Sequence, residues 1–121
     1  MKPFLVAVIF AIAGGVAADP PSLTGEWKLH NNVFGNETDR TCTFEQQQQE
    51  LKGTCTDGQV TVAAIGTVEG KKVTMRLQTK EGNDTVTLDY TGTLVADDKV
   101  LGTVTVVEAG VDGDFIATRA K

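Results

Sequence analysis

Leu23-Thr24-Gly25-Glu26-Trp27-Lys28-Leu29-His30 is the stretch on which the fold turns. Leu23, Gly25, Trp27 and Leu29 share one side of an extended chain, and Thr24, Glu26, Lys28 and His30 the other. Alternation with period two marks an antiparallel strand that is buried on one face and wet on the other. The same rhythm returns downstream. Val73, Met75 and Leu77 alternate with Lys72, Thr74, Arg76 and Gln78, and Val86, Leu88, Tyr90 and Leu94 with Thr85, Thr87, Asp89, Thr91 and Thr93. Helical periodicity is absent after the first residues. The pattern predicts eight strands, at about 23–30, 40–47, 50–56, 59–68, 71–80, 83–95, 99–107 and 114–120. Short turns fall at Gln48-Gln49, Asp57-Gly58, Glu69-Gly70, Glu81-Gly82 and Asp97-Asp98. The two longer connections are 31–39 and 108–113.

Arg119 sits on the inward side of the last strand, with Phe115 and Ala117. A cation on an apolar face is costly unless something receives it. The indole face of Trp27 can do so, because a guanidinium plane stacks on it. A tryptophan on the first strand and an arginine on the last meet only if the sheet closes on itself. The expected fold is therefore all-β: an eight-stranded antiparallel up-and-down meander barrel.

Met1 to Ala18 reads as a secretory signal. Lys2 supplies the positive start, Phe4 to Ile12 the apolar run, and small residues allow cleavage near Ala17 or Ala18. The run is too short to span a bilayer. This divides the chain into a signal peptide, 1–18, and a single barrel domain, 19–121, secreted or periplasmic. Sixteen acidic against eleven basic residues give a net charge of −5, and the basic residues are scattered. Neither nucleic acid nor an anionic membrane is an expected partner.

In an exported chain the two cysteines, Cys42 and Cys55, predict one disulfide. A two-residue turn at Gln48-Gln49 puts them directly opposite each other, in a non-hydrogen-bonded pair where side chains come closest. For a loop of this length the chain-entropy model gives roughly 3 kcal/mol of stabilisation. The same counting sets Phe44 opposite Gly53, Cys55 opposite Val60, Gly66 opposite Val73 and Leu77 opposite Val86. The Asp97-Asp98 turn needs an extra residue, so that Val104 and Val106 face in and Thr103 and Thr105 out. Gly25, Gly53, Gly66, Gly92 and Gly102 all face inward toward the Trp27 end, where strands must coil to close.

Gly25-Glu26-Trp27 together with Arg119 resembles the calycin group of barrels: lipocalins, fatty-acid-binding proteins, avidins and small bacterial metalloprotease inhibitors. In that group Gly-x-Trp on the first strand and Arg or Lys on the last seal one barrel end. Leu23-Thr24-Gly25-Glu26-Trp27 is similar to the avidin opening, although avidins line their biotin site with several tryptophans and this chain has one. The same opening followed by Cys42 and Cys55 resembles the inhibitors, which enter a protease with a free N-terminal arm. The resemblance implies a non-enzymatic binding protein.

Catalytic chemistry has little to draw on. Ser22 is the only serine and His30, on the outward face, the only histidine. No serine or cysteine triad can be assembled from them. Asp112-Gly113-Asp114 and Asp97-Asp98 are too short for a calcium loop, and no carboxylate pair faces inward for acid–base work. Neither a metal nor a cofactor is expected. Asn36-Glu37-Thr38 and Asn83-Asp84-Thr85 match the glycosylation sequon, at the end opposite Trp27. The interior at that end would be lined by Leu29, the Cys42–Cys55 bridge, Val60, Leu77, Val86, Val106 and Phe115, all apolar. The expected ligand is a small apolar molecule entering past loops 31–39, 57–58, 81–82 and 108–113. The alternative is inhibition of an extracellular protease, or another protein-binding role, through the Asp19-Pro20-Pro21-Ser22 arm.

Overall fold

The computed structural model describes residues 22–120. The signal segment and the arm through Pro21 lie outside them. Eight strands follow in order: β1 (Gly25–Val33), β2 (Asn36–Gln47), β3 (Glu50–Thr56), β4 (Thr61–Glu69), β5 (Lys72–Glu81), β6 (Asp84–Ala96), β7 (Lys99–Val106) and β8 (Val111–Arg119). Each pairs antiparallel with the next, and β8 returns to pair with β1 from Trp27↔Arg119 to Asn32↔Asp114. The sheet is thus a closed up-and-down barrel with no free edge, which removes the row of unpaired amides that an open sheet would present.

The alternation places Trp27, Leu29, Phe44, Leu77, Tyr90 and Phe115 in one continuous buried core. Cys42 and Cys55 are bonded at its centre, fully buried, with Cα atoms 4.0 Å apart. The register Cys42↔Cys55 and Phe44↔Gly53 agrees with the count from a Gln48-Gln49 turn.

Three of the expected pairings are displaced, each by two residues. The turns after β4 and β5 are Gly70-Lys71 and Gly82-Asn83, one residue later than expected. Glycine takes the first turn position, where φ is +61° and +64°, a region L side chains rarely enter. Gly66 therefore faces Met75, not Val73, and Leu77 faces Leu88, not Val86. After β3 the connection is a four-residue loop, 57–60. The Asp57 carboxylate accepts from the amides of Gln59 (2.9 Å) and Val60 (3.0 Å), so the loop is wider than a two-residue turn. Cys55 consequently pairs with Val62 rather than Val60. A shift of two preserves which face each side chain takes. Val60 alone changes side, because it leaves the strand, and it is 44% exposed.

The 31–39 connection also differs from expectation. β1 and β2 continue to a two-residue hairpin turn at Phe34-Gly35, with φ of +55° and +76°. Cross-strand bonds from His30 to Asp39 and Glu37 hold the extension that an Asn-rich sequence hides. Likewise the 108–113 connection shrinks to residues 107–110, where Gly110 N–H donates to Val106 C=O (2.9 Å). The register slips between Leu94 and Ala96. That is the extra residue expected before the Asp97-Asp98 turn, and Val104 is buried as a result.

Close backbone approach explains two of the inward glycines. A Cβ on Gly66 would lie 1.9 Å from Thr74 O, and one on Gly102 would lie 2.0 Å from Thr91 O. At these points neighbouring strands are nearer than any side chain would allow, and the sheet can coil.

Candidate functional site

The two barrel ends differ in chemistry. At the first, Trp27 is buried and its Nε1–H donates to Leu23 O (3.0 Å). The Arg119 guanidinium carbon stands 4.6 Å from the ring centroid. Its Nη1 donates to Thr24 O (3.0 Å), and its Nη2 to Ser22 O (2.8 Å) and Asp97 O (3.1 Å). Stacking and three chain carbonyls receive the cation, so this end is sealed.

Above the seal the interior is filled. Leu29, Leu77, Phe115 and the disulfide are buried, and Val86 and Val106 pack half-buried against them. Tyr90 and Phe115 meet edge to face, centroids 5.0 Å apart. A void of about 20 Å³ remains, lined by Trp27, Leu29, Met75, Tyr90, Val100 and Phe115 among others. It has room for roughly one water-sized sphere and no polar partners to hold one. Eight strands leave an interior that mid-sized side chains can fill. Of the residues expected to line a ligand, Leu29, Leu77 and Phe115 are core, Val86 and Val106 lie nearer the mouth, and Val60 is outside on its loop.

At the second end, contrary to expectation, the interior is not wholly apolar. Asn31 on β1 and Arg40 on β2 fall on the inward faces of their strands, one step beyond Leu29 and Cys42. Asn31 is buried; its Nδ2 donates to Tyr90 Oη (3.1 Å) and Thr38 Oγ1 (3.3 Å). Arg40 approaches the Tyr90 hydroxyl from the other strand, without a well-formed hydrogen bond to it. Burial pushes the Tyr90 phenol up, against the opposing pull of Asn31 and Arg40, so it stays protonated. Three buried atoms here lack a hydrogen-bond partner among the described residues: Asn31 Oδ1, Arg40 Nε and Arg40 Nη1. Asp57, at the same end, is held below the usual carboxylate range by the Val60 and Gln59 amides, with a smaller contribution from the Arg40 charge.

Around this end the rim carries hydrogen-bonded carboxylates. His30 is clamped between two carboxylates, Nδ1 to Asp39 Oδ1 at 2.6 Å and Nε2 to Glu37 Oε1 at 2.7 Å. Those bonds, Asp39 first, raise its pKa. Glu108 accepts from Thr87 N–H (2.7 Å) and Thr87 Oγ1–H (2.6 Å), which ties the 107–110 loop to β6 and lowers the Glu108 pKa. At the hairpin tip Phe34 is 84% exposed in a left-handed backbone conformation.

Outside the barrel, a shallow depression of about 620 Å³ crosses β3 to β6 over Lys52, Ile65, Thr67 and Arg76. Its polar groups already serve one another. Arg76 makes a bidentate pair with Asp89 (2.6 and 2.8 Å), and Thr67 bonds Thr74 (2.7 Å).

Sequence reasoning missed Asn31 and Arg40 because the segment between the two strands, 31–39, reads as a long connection, with Asn31 as its first residue and Arg40 just after it. The signal was present: the inward parity of Leu29 continues to Asn31, and that of Cys42 runs back to Arg40. Comparison with protein-family models, curated proteins and solved structures returns no match.

Proposed function

We propose that this chain is a secreted or periplasmic, non-enzymatic binding barrel of the calycin type, and that it takes a small ligand at the end opposite the Trp27–Arg119 seal. One observation supports this reading above the rest. At the end opposite the Trp27–Arg119 seal, Asn31 and Arg40 turn toward the interior around the Tyr90 hydroxyl. A ligand in the deep apolar interior, near Leu77 and Phe115, would have only a void of about 20 Å³. The ligand position therefore moves outward, to the mouth. The buried disulfide fits an oxidising compartment. The test is an amide and side-chain NMR titration of the mature, oxidised protein with a fragment set. Shifts centred on Asn31, Thr38 and Tyr90, with the Trp27 indole unmoved, are the expected result. Shifts confined to the outer face, or none at all, would overturn it.

A second reading, protein binding that includes inhibition of an extracellular protease, draws on Phe34. An aromatic held out at a hairpin tip is a common interface anchor. The Asp19-Pro20-Pro21-Ser22 arm would serve the same role from the sealed end, where Arg119 holds the Ser22 carbonyl. Deleting residues 19–22 and replacing Phe34 separate the two surfaces in a protease-inhibition assay.

A further inference from the structure

Closure gives every strand two neighbours, but neighbouring strands end at different heights. The pairing of β2 with β3 stops at Thr41↔Thr56, whereas its pairing with β1 runs on to Val33↔Asn36. Asn36–Arg40 therefore overhang β3. The chain that leaves Thr56 does not follow them. Asp57 N–H donates to Val60 O (3.3 Å), and the Asp57 carboxylate takes the amides of Gln59 and Val60, so the loop folds back on itself. Every residue from Asn36 to Asp39 is exposed.

The overhang carries a defined set of backbone groups. Val33↔Asn36 closes a two-residue hairpin, so Asn36, Thr38 and Arg40 exchange their backbone hydrogen bonds with β1. The N–H and C=O of Glu37 and Asp39 point the other way, on the side where Thr41 meets Thr56 further down. Nothing among the described residues receives them. A short row of unpaired donors and acceptors on an extended strand is a template for another strand. Charge says which kind. The Glu37 and Asp39 side chains flank this row on the outer face, 59% and 81% exposed, and Asp57 stands at its foot. Each of the two holds His30 with one oxygen, which leaves the other for a partner. Arg40, the basic residue of β2, turns inward toward Tyr90. A second copy of the chain would set Glu37 and Asp39 against the same carboxylates, and like charges facing across a strand pair repel. Lysine or arginine in that place is attracted instead.

We propose that Asn36–Asp39 of β2 takes up an extended segment of a partner protein as an added strand, with lysine or arginine at the positions facing Glu37 and Asp39. The proposal rests on the protein-binding reading above, to which it gives a definite site beside Phe34, and is independent of the small-ligand reading. The probe is the peptide acetyl-Thr-Lys-Val-Lys-Thr-amide, titrated into the mature oxidised protein by amide NMR. The largest shifts should fall on the Glu37 and Asp39 amides, and both should exchange with deuterium more slowly when the peptide is bound. The same peptide with glutamate in place of lysine should bind roughly tenfold more weakly or worse. The lysine peptide methylated on both lysine amides keeps its charge but loses the donors facing the overhang, and should weaken by at least about tenfold. If the methylated peptide binds as tightly as its parent, the attraction is charge alone and the added strand is overturned. Equal binding of the glutamate peptide overturns the basic partner. Shifts of Glu37 and Asp39 that follow protein concentration without peptide make the occupant a second copy, which also overturns it. If the peptide leaves both amides unmoved, the strand site falls. The broader protein-binding reading is then judged separately, by the Phe34 and 19–22 variants in the protease assay.

Discussion

Arg119 shows how much one side chain can carry when the fold brings it home. Its guanidinium stacks at 4.6 Å on Trp27 and bridges the carbonyls of Ser22, Thr24 and Asp97. Arg119→Ala removes the stack and leaves those carbonyls short of a donor. It should cost about 2 kcal/mol in chemical denaturation and shift Trp27 emission. An unchanged midpoint and spectrum would mean the seal is held by strand pairing alone. His30 makes a pH prediction. Its folded pKa is raised above the ordinary 6.5 by Asp39 and Glu37. The clamp therefore contributes fully below pH 6.5 and is lost as pH rises through the raised value. Wild-type melting temperature should fall across that window, and His30→Gln should flatten the fall. Equal slopes would show that the clamp adds no stability, as exposed ion pairs often do not.

Elements are decided by turns, and the β1–β2 hairpin has the oddest one. Phe34 and Gly35 both have positive φ, the arrangement that favours Asn-Gly in two-residue hairpin loops. A bulky aromatic in the left-handed region is strained. Phe34→Asn should stabilise the barrel by about 0.5–1 kcal/mol in denaturant melts, and a loss of stability would mean that Phe34 is packed by something the turn geometry does not reveal. If the variant is more stable but fails to bind a protein that wild type binds, Phe34 is retained for contact. The β6–β7 pairing offers the opposite test. Gly92 and Gly102 face each other, and a Cβ on Gly102 would meet Thr91 O at 2.0 Å and Gly92 Cα at 2.5 Å. Those are backbone atoms and cannot swing away. Gly102→Ala should therefore cost about 3 kcal/mol, the upper range for overpacking, and a neutral result would show that the strands can part without opening the barrel.

For the molecule as a whole, the Cys42–Cys55 bond crosses only adjacent strands, while closure rests on β1–β8, which joins the two ends of the meander. Replacing both cysteines with alanine should lower stability by roughly 3 kcal/mol yet leave the Trp27 environment native, as read by its fluorescence before the unfolding transition. Loss of the native spectrum would make the bridge a condition of closure. The inward or outward side of nearly every strand residue was legible from alternation, because side-chain direction has period two. Closure was legible because an inward Arg119 and an inward Trp27 answer each other across the chain. Exact pairing was not. Asp57 widened one loop through its own hydrogen bonds, and Gly70 and Gly82 moved their turns by one residue. The faces survived because each shift was even. The polar mouth was illegible for a different reason. Asn31 begins a segment that reads as loop and Arg40 opens the strand after it, and only pairing along the full β1–β2 hairpin, with Tyr90 arriving from β6, makes them neighbours inside one barrel end. Sequence by itself determined an all-β meander, its inward faces, its disulfide and its seal, all set by local periodicity and by one long-range demand for charge. Tertiary structure alone decided that the core is full and that the unspent polar chemistry gathers at the mouth, because strand tilt and packing volume do not exist until eight strands close on one another.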